Sequence, residues 1–277
     1  MKRHFLKSVL LGSAAFSLGW VGLTASAHAQ ADQTYAAWDA LLKKHVTWNA
    51  AGVASSVNYK GFVADRAAFT KVLEEFSAVT KAQYEGFKKE EKLAFLINAY
   101  NAYTIELILT KYPDLKSIRD LGSLVQKPWS KKFFKLLGEE RTLDNVEHDM
   151  IRAPGAFDEP RIHMAVVCAS IGCPALRPEA FTAAKMDLLL DDSVKRFLRD
   201  RSRNRVNTSS NKLEVSKIFD WYKSDFEKGF KGVSSREVFF ARYAESLSDD
   251  PAVRQQIKDG KLAVGHLEYD WSLNDKR

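Results

Sequence analysis

Apolar residues recur at three- and four-residue spacing from residue 32 to 48, where Tyr35, Trp38, Leu41, Leu42 and Val46 share one stripe. That is the period of an amphipathic helix. Residues 49–61 lose the pattern. A second stripe of Phe69, Val72, Leu73 and Phe76 follows Asp65, which is placed to cap it. The longest helical signal runs from Glu90 to Tyr112 and is stopped by Pro113. Thr142 opens a short helix to Arg152, with Asp144 and Glu147 near its positive end. Residues 161–168 are rich in apolar and β-branched side chains and read as a strand. A tight loop to Pro178 leads into a helix over about 179–200. Short runs around Val206 and Leu213, separated by Thr208-Ser-Ser-Asn211, predict a β-hairpin. Helices over 217–228, 235–246 and 251–259 and a last strand over 261–269 complete the pattern.

Strands and helices do not alternate regularly in this order, which predicts an α+β fold rather than a doubly wound sheet. The expectation is a mainly helical domain around a small antiparallel sheet. No Gly/Pro/Ser-rich linker divides the chain after the first thirty residues, so residues 30–277 are expected to form one globular domain.

Composition changes the picture at the start of the chain. Lys2, Arg3 and Lys7 precede an apolar run from Ser8 to about Ala25, and Ala27-His28-Ala29 offers small residues for cleavage. That is the pattern of an export signal over residues 1–29. Lys2-Arg3-His4-Phe5-Leu6-Lys7 is also close to the twin-arginine pattern with Lys in the first place. A general-secretory and a variant twin-arginine signal are both compatible, and each predicts a periplasmic protein. No later apolar run is long enough to span a bilayer. The two cysteines rule out a disulfide scaffold. The basic run of Lys195, Arg196, Arg199, Arg201, Arg203 and Arg205 accompanies a net charge of +7. An exported protein rarely meets nucleic acid, so the run points instead to an anionic envelope surface, or to a solvated helix face.

The candidate chemistry is concentrated between residues 94 and 174. Arg161-Ile-His-Met-Ala-Val-Val-Cys168 leads to Cys173-Pro174. A thiolate is a strong nucleophile when an imidazole or a helix N-terminus favours it. Cys168 is therefore the candidate nucleophile, with His148 or His163 as base. On a straight strand His163 and Cys168 would face opposite ways, so the strand must end or bulge for them to meet. Asn98 and Asn101 share one face of an otherwise apolar helix. Buried amides need partners: Asn101, like Glu147, is a candidate orienting group, and the bland alternative is a clamp on a neighbouring loop. Asn98 and Arg161 are candidate binding residues. Cys168, Cys173, His148 and His163 also allow a zinc site as an alternative, although no cofactor is expected.

The same segments resemble the domain of unknown function 547 family. The likeness rests on Ala94-Phe-Leu-Ile-Asn-Ala-Tyr-Asn-Ala-Tyr-Thr-Ile105, Val146-Glu-His148, and Arg161 to Cys168 with Cys173-Pro174. It continues at Ser216-Lys-Ile-Phe-Asp-Trp-Tyr-Lys-Ser-Asp-Phe226 and Tyr269-Asp-Trp-Ser-Leu-Asn274. The resemblance implies that Glu147, His148, His163 and Cys168 belong to the family pattern, and it brings no activity. Cys, His and Asn together suggest a papain-like site layout. The expected function is a thiol-dependent hydrolase or acyltransferase acting on amide or thioester bonds, with an envelope peptide as one candidate substrate. The alternatives are a non-catalytic envelope-binding or assembly protein and a Cys/His metal-binding domain.

Overall fold

A computed structural model describes Met1, residues 33–123 and residues 125–276. The export signal expected over residues 1–29 lies almost entirely outside these residues. From Gln33 onward the chain belongs to one compact unit.

The architecture is helical, with small sheets at its edges. Helix α1 (Ala36–His45) runs into a two-stranded antiparallel sheet of β1 (Val46–Trp48) and β2 (Ser55–Val57). Helices α2 (Tyr59–Ala64), α3 (Arg66–Ala78) and α4 (Lys81–Glu85) follow. Asp65 stands at the start of α3 as expected, but its carboxylate does not cap it. It accepts instead from buried His45 Nε2, at 2.6 Å.

Helix α5 (Lys89–Leu109) is the centre of the molecule, buried continuously from Leu93 to Ile105. A helix that is apolar all round belongs inside a core. Trp38, Phe62, Phe69, Phe76 and Phe95 belong to the large cluster around it. The β3 (Phe134–Leu136) and β4 (Glu139–Arg141) hairpin lies beyond, with Phe134 stacked on Tyr103 at 4.0 Å.

The second half builds a smaller cluster around α6 (Met186–Arg199). The predicted hairpin is present as β5 (Arg205–Asn207) and β6 (Lys212–Ser216), paired Val206 to Leu213. The short helices α7 (Ile218–Trp221), α8 (Arg236–Arg242), α9 (Ala244–Leu247) and α10 (Pro251–Lys258) pack beside it. The last strand, β7 (Ala263–Leu267), joins β6 in parallel, a pairing that the sequence pattern does not announce. Among the described residues no helix is long and apolar enough to cross a membrane.

One expected element is absent. Residues 161–168 form no strand; a 3₁₀ turn spans Pro160–Met164, and the following residues are irregular. Pro160 stands at the first helical position and the Glu159 carboxylate caps the Arg161 N–H, which favours a helical start. Residues 161–167 are all buried, the polar Arg161 and His163 included, so the alternation in the sequence does not mark one buried and one exposed face as it would in a half-buried strand.

Candidate functional site

A cleft of about 770 Å³ gathers Cys168, Cys173, His148, His163 and Glu147 with Tyr100, Tyr222, Tyr269 and Trp221. The 3₁₀ turn removes the parity problem of a straight strand, so His163 and Cys168 both line this space.

Asn101 holds the segment that brings them there. Its amide donates to the Ala165 carbonyl at 2.9 Å, and its carbonyl accepts from the Val167 N–H at 3.0 Å. It supplies one donor and one acceptor, as a neighbouring strand would. Asn98 does the same for Phe181, at 2.7 and 3.0 Å. Both amides are buried. Asn101 therefore does not orient an imidazole: its hydrogen bonds are used on backbone, and it acts as a clamp. Asn98 likewise holds backbone rather than lining the cleft. Arg161 is also internal. Its guanidinium pairs with Glu159 and with Asp187 at 2.6 and 2.7 Å, away from Cys168.

Cys168 is half-buried and both thiols are free. The Cys168 N–H donates to the Cys173 sulfur at 3.0 Å, and the Tyr269 hydroxyl lies 3.1 Å from the Cys168 sulfur. Burial pushes the Cys173 thiol and the Tyr269 phenol well up, so both keep their protons and can donate to a Cys168 thiolate. The Cys173 hydrogen bond leads, Tyr269 and Ser170 add to it, and together they overcome burial and bring the Cys168 thiol down to about 7. The helix N-terminus expected to support this thiolate is not there, since the next helical turn begins only at Ala183. Hydrogen bonds take its place.

The loop around the thiol is held from several sides. Ala169, directly after Cys168, adopts φ 61, a left-handed backbone that costs a residue with a Cβ roughly 1–2 kcal/mol. The C-terminal segment runs alongside: Ile171 N–H donates to Ser272 O, Gly172 N–H to Asp270 O, and Asn274 N–H to Ala169 O. A Cβ on Gly172 would sit 2.9 Å from Asp270 N, so only glycine allows the approach that seats Tyr269. Arg203, buried, donates to the carbonyls of Cys173 and Val53. Arg196 and Arg201 donate to backbone carbonyls and Arg205 to Glu214. The basic run is thus largely used to brace loops rather than offered as an anionic docking face.

The two imidazoles differ. His163 is buried, donates from Nε2 to Asp225 Oδ2 at 2.8 Å, and stacks on Tyr222 at 3.9 Å. Burial pushes its pKa down, so the ring is neutral. Asp225 stays ionised, held far below the ordinary carboxylate range by His163, Arg152 and Lys228 despite its burial. His148 is more exposed and lies on a π-helical turn, Asn145–Ile151, begun by reciprocal Thr142–Asn145 hydrogen bonds. Such wide turns are frequent at functional sites. Arg152 donates to His148 Nδ1 at 2.6 Å and to Asp225 at 2.6 Å, linking the two imidazoles. Because guanidinium can only donate, His148 Nδ1 accepts and its N–H is on Nε2, towards Asp144 at 3.7 Å. Glu147, buried, accepts from the Tyr100 hydroxyl at 3.0 Å and from Tyr222. It steadies the ring stacked on His163 rather than orienting His148.

Trp221, Trp271 and Trp129 form a wall at the mouth, with Trp221 and Trp271 stacked at 5.7 Å. Among the described residues no group of three or more His, Cys, Asp and Glu side chains is arranged to hold a metal ion.

Residues 84–198 match the model of a family described as protein of unknown function, DUF547. The resemblance read from the sequence is thereby shown over that range, which contains Asn98, Asn101, Glu147, His148, His163 and both cysteines. Tyr222, Asp225 and Tyr269 fall outside it; they lie in the segments 216–226 and 269–274 of the resemblance, and the structure brings them into the site. No curated protein and no solved structure matches the chain.

Proposed function

We propose that the chain is an exported, thiol-dependent hydrolase or acyltransferase acting on amide or thioester bonds, with Cys168 as nucleophile. The observation that carries this reading is the half-buried Cys168 thiol, brought down to about 7, in one cleft with an Asp225-bound imidazole. A thiol near that value is substantially ionised at neutral pH.

The hydrogen bonds divide the labour between the histidines. His163 donates Nε2–H to Asp225 and keeps the Nδ1 lone pair, so it is the general base, with Asp225 as its orienting partner. His148 has given its lone pair to Arg152 and presents Nε2–H, so it suits a hydrogen-bond donor to the developing oxyanion. In the reaction the thiolate adds to the acyl carbon, the leaving group departs with a proton, and the acyl-Cys168 is released to water or to an acceptor. The signal-like residues 1–29 support a periplasmic site of action, and an envelope peptide is the substrate class this favours.

The test uses p-nitrophenyl acetate as a generic acyl donor. A burst of nitrophenolate with an acetyl group on Cys168, followed by turnover that is lost in His163→Gln, is the expected result. Absence of an adduct on Cys168 overturns the reading and favours a non-catalytic binding protein that uses the tryptophan wall.

A further inference from the structure

Cys168 and Cys173 form an asymmetric dithiol. Both line the cleft, but Cys168 is half-buried whereas Cys173 is only 6% exposed. The Cys168 N–H holds the Cys173 sulfur at 3.0 Å. The intervening loop closes on itself, with the Cys173 N–H donating to Ser170 O at 3.1 Å and Ala169 in the left-handed region. Arg203 fixes the Cys173 carbonyl. A disulfide needs the two sulfurs about 2.05 Å apart, and the contact of the Cys168 N–H with the Cys173 sulfur already holds the second thiol beside the first residue.

We propose that this pair performs thiol–disulfide exchange on small disulfides entering the cleft, with Cys168 as the attacking thiol and Cys173 as the resolving thiol. The Cys168 thiolate attacks one sulfur of the substrate disulfide; a Cys168–substrate disulfide forms and a substrate thiolate leaves. That thiolate takes the Cys173 proton. The Cys173 thiolate then attacks the Cys168 sulfur, forms the Cys168–Cys173 disulfide and expels the second substrate thiolate, which takes a proton from water. The substrate is reduced by two electrons and the protein dithiol is oxidised by two; an external dithiol reductant regenerates it.

The environment suits each role. An attacking thiol works best with a pKa close to ambient pH, and that of Cys168 is about 7. Burial keeps Cys173 protonated, and so does the charge on Cys168. Forming the mixed disulfide abolishes that charge and so removes the Cys168 contribution that holds the Cys173 proton, leaving burial alone.

The probe is oxidised glutathione, added to the reduced full chain at neutral pH and followed by intact mass after acid quenching. The wild type is expected to pass to the intramolecular disulfide without accumulating an adduct. Cys173→Ser and Cys173→Ala are expected to stall as the glutathione adduct on Cys168, and Cys168→Ser to stay unmodified. A wild type that accumulates the adduct as the Cys173 variants do, or that does not react, overturns the proposal. Acetylation of wild-type Cys168 by p-nitrophenyl acetate is measured separately on the same chain, so failure of exchange and failure of acyl transfer are told apart.

Discussion

The Tyr269 hydroxyl lies 3.1 Å from the Cys168 sulfur, although the residues are 101 positions apart. The contact exists because the C-terminal segment is hydrogen-bonded along the loop Ala169–Gly172 and braced at Val57 and Lys116. The thiol's acidity is therefore tied to a distant part of the chain.

Tyr269→Phe should raise the Cys168 pKa from about 7. The phenol donates to the thiolate, so its loss disfavours the charged form. A hydrogen bond to a charged group is worth about 1.5–3 kcal/mol, and about 1.4 kcal/mol is one pKa unit. The midpoint of iodoacetamide alkylation against pH should move up by about one unit. A midpoint that stays put would mean that Tyr269 does not support the thiolate.

Asn101→Leu should destabilise the fold strongly. It strands the Ala165 carbonyl and the Val167 N–H, both buried, and each orphaned group costs about 1–3 kcal/mol. Urea unfolding should show a loss of about 2–6 kcal/mol by the same reckoning. Asn98→Leu, which strands both backbone groups of Phe181, should behave alike. A loss below the lower bound at both positions would show that the clamps are dispensable.

Much of this arrangement was legible in the sequence, for identifiable reasons. Helix α5 announced itself by length and by Pro113, and the pairing of Val206 with Leu213 by the polar turn between them. Asn98 and Asn101 were visible as buried amides because they interrupt an apolar helix. The segment at 161–168 has the alternation and β-branched content of a strand, yet forms none, because its hydrogen-bonding partner is the Asn101 side chain rather than another strand. Asp225 and Tyr269 stand in segments that carry the resemblance, but nothing in those segments gives them a role in the site. They reach His163 and Cys168 only through long-range packing, and charged or aromatic residues at such positions have many ordinary uses. Arg161 pairs with Glu159, two residues before it, and with Asp187, which lies 26 positions on and has no local signal.

Stability should fall on mild acidification because of His163. Its folded pKa lies below 6.5, the ordinary value. The unfolded chain therefore binds the proton first as pH falls, and the folded state is penalised. The contribution is complete above about 6.5 and is lost below it, towards the depressed folded value. Asp225 and Glu147 face the ring and favour its charged form, Arg152 opposes it, and burial outweighs them. Asp225 acts separately: its depressed pKa adds stability that is lost only at pH below the ordinary carboxylate value of 3.8. Unfolding free energies at about pH 7.5 and about pH 5.5, either side of the free-histidine value, should differ in the wild type and differ less in His163→Gln. Equal slopes in the two proteins would remove His163 as the cause.

Asp225→Asn tests the acid–base assignment most directly. The carboxylate accepts from His163 and Arg152 through the same oxygen and pairs with Lys228 at 3.1 Å. The amide removes the charge while keeping the shape. Arg152 and Lys228 then lose a buried counter-ion, and breaking a buried pair costs about 3–5 kcal/mol; Arg152 is partly exposed, so the lower end is expected. The amide can also turn its NH₂ towards His163 Nε2. The imidazole proton would then move to Nδ1, and the lone pair assigned to the base would be gone. Acetylation of Cys168 by p-nitrophenyl acetate should persist, since the thiolate is supported by Cys173 and Tyr269. Turnover of the acyl group should collapse to the level of His163→Gln, and the double variant should be no slower than either single one, because residues acting as a unit are not additive. Additive losses would place Asp225 and His163 in separate roles, and undiminished turnover in Asp225→Asn would remove Asp225 from the acid–base machinery.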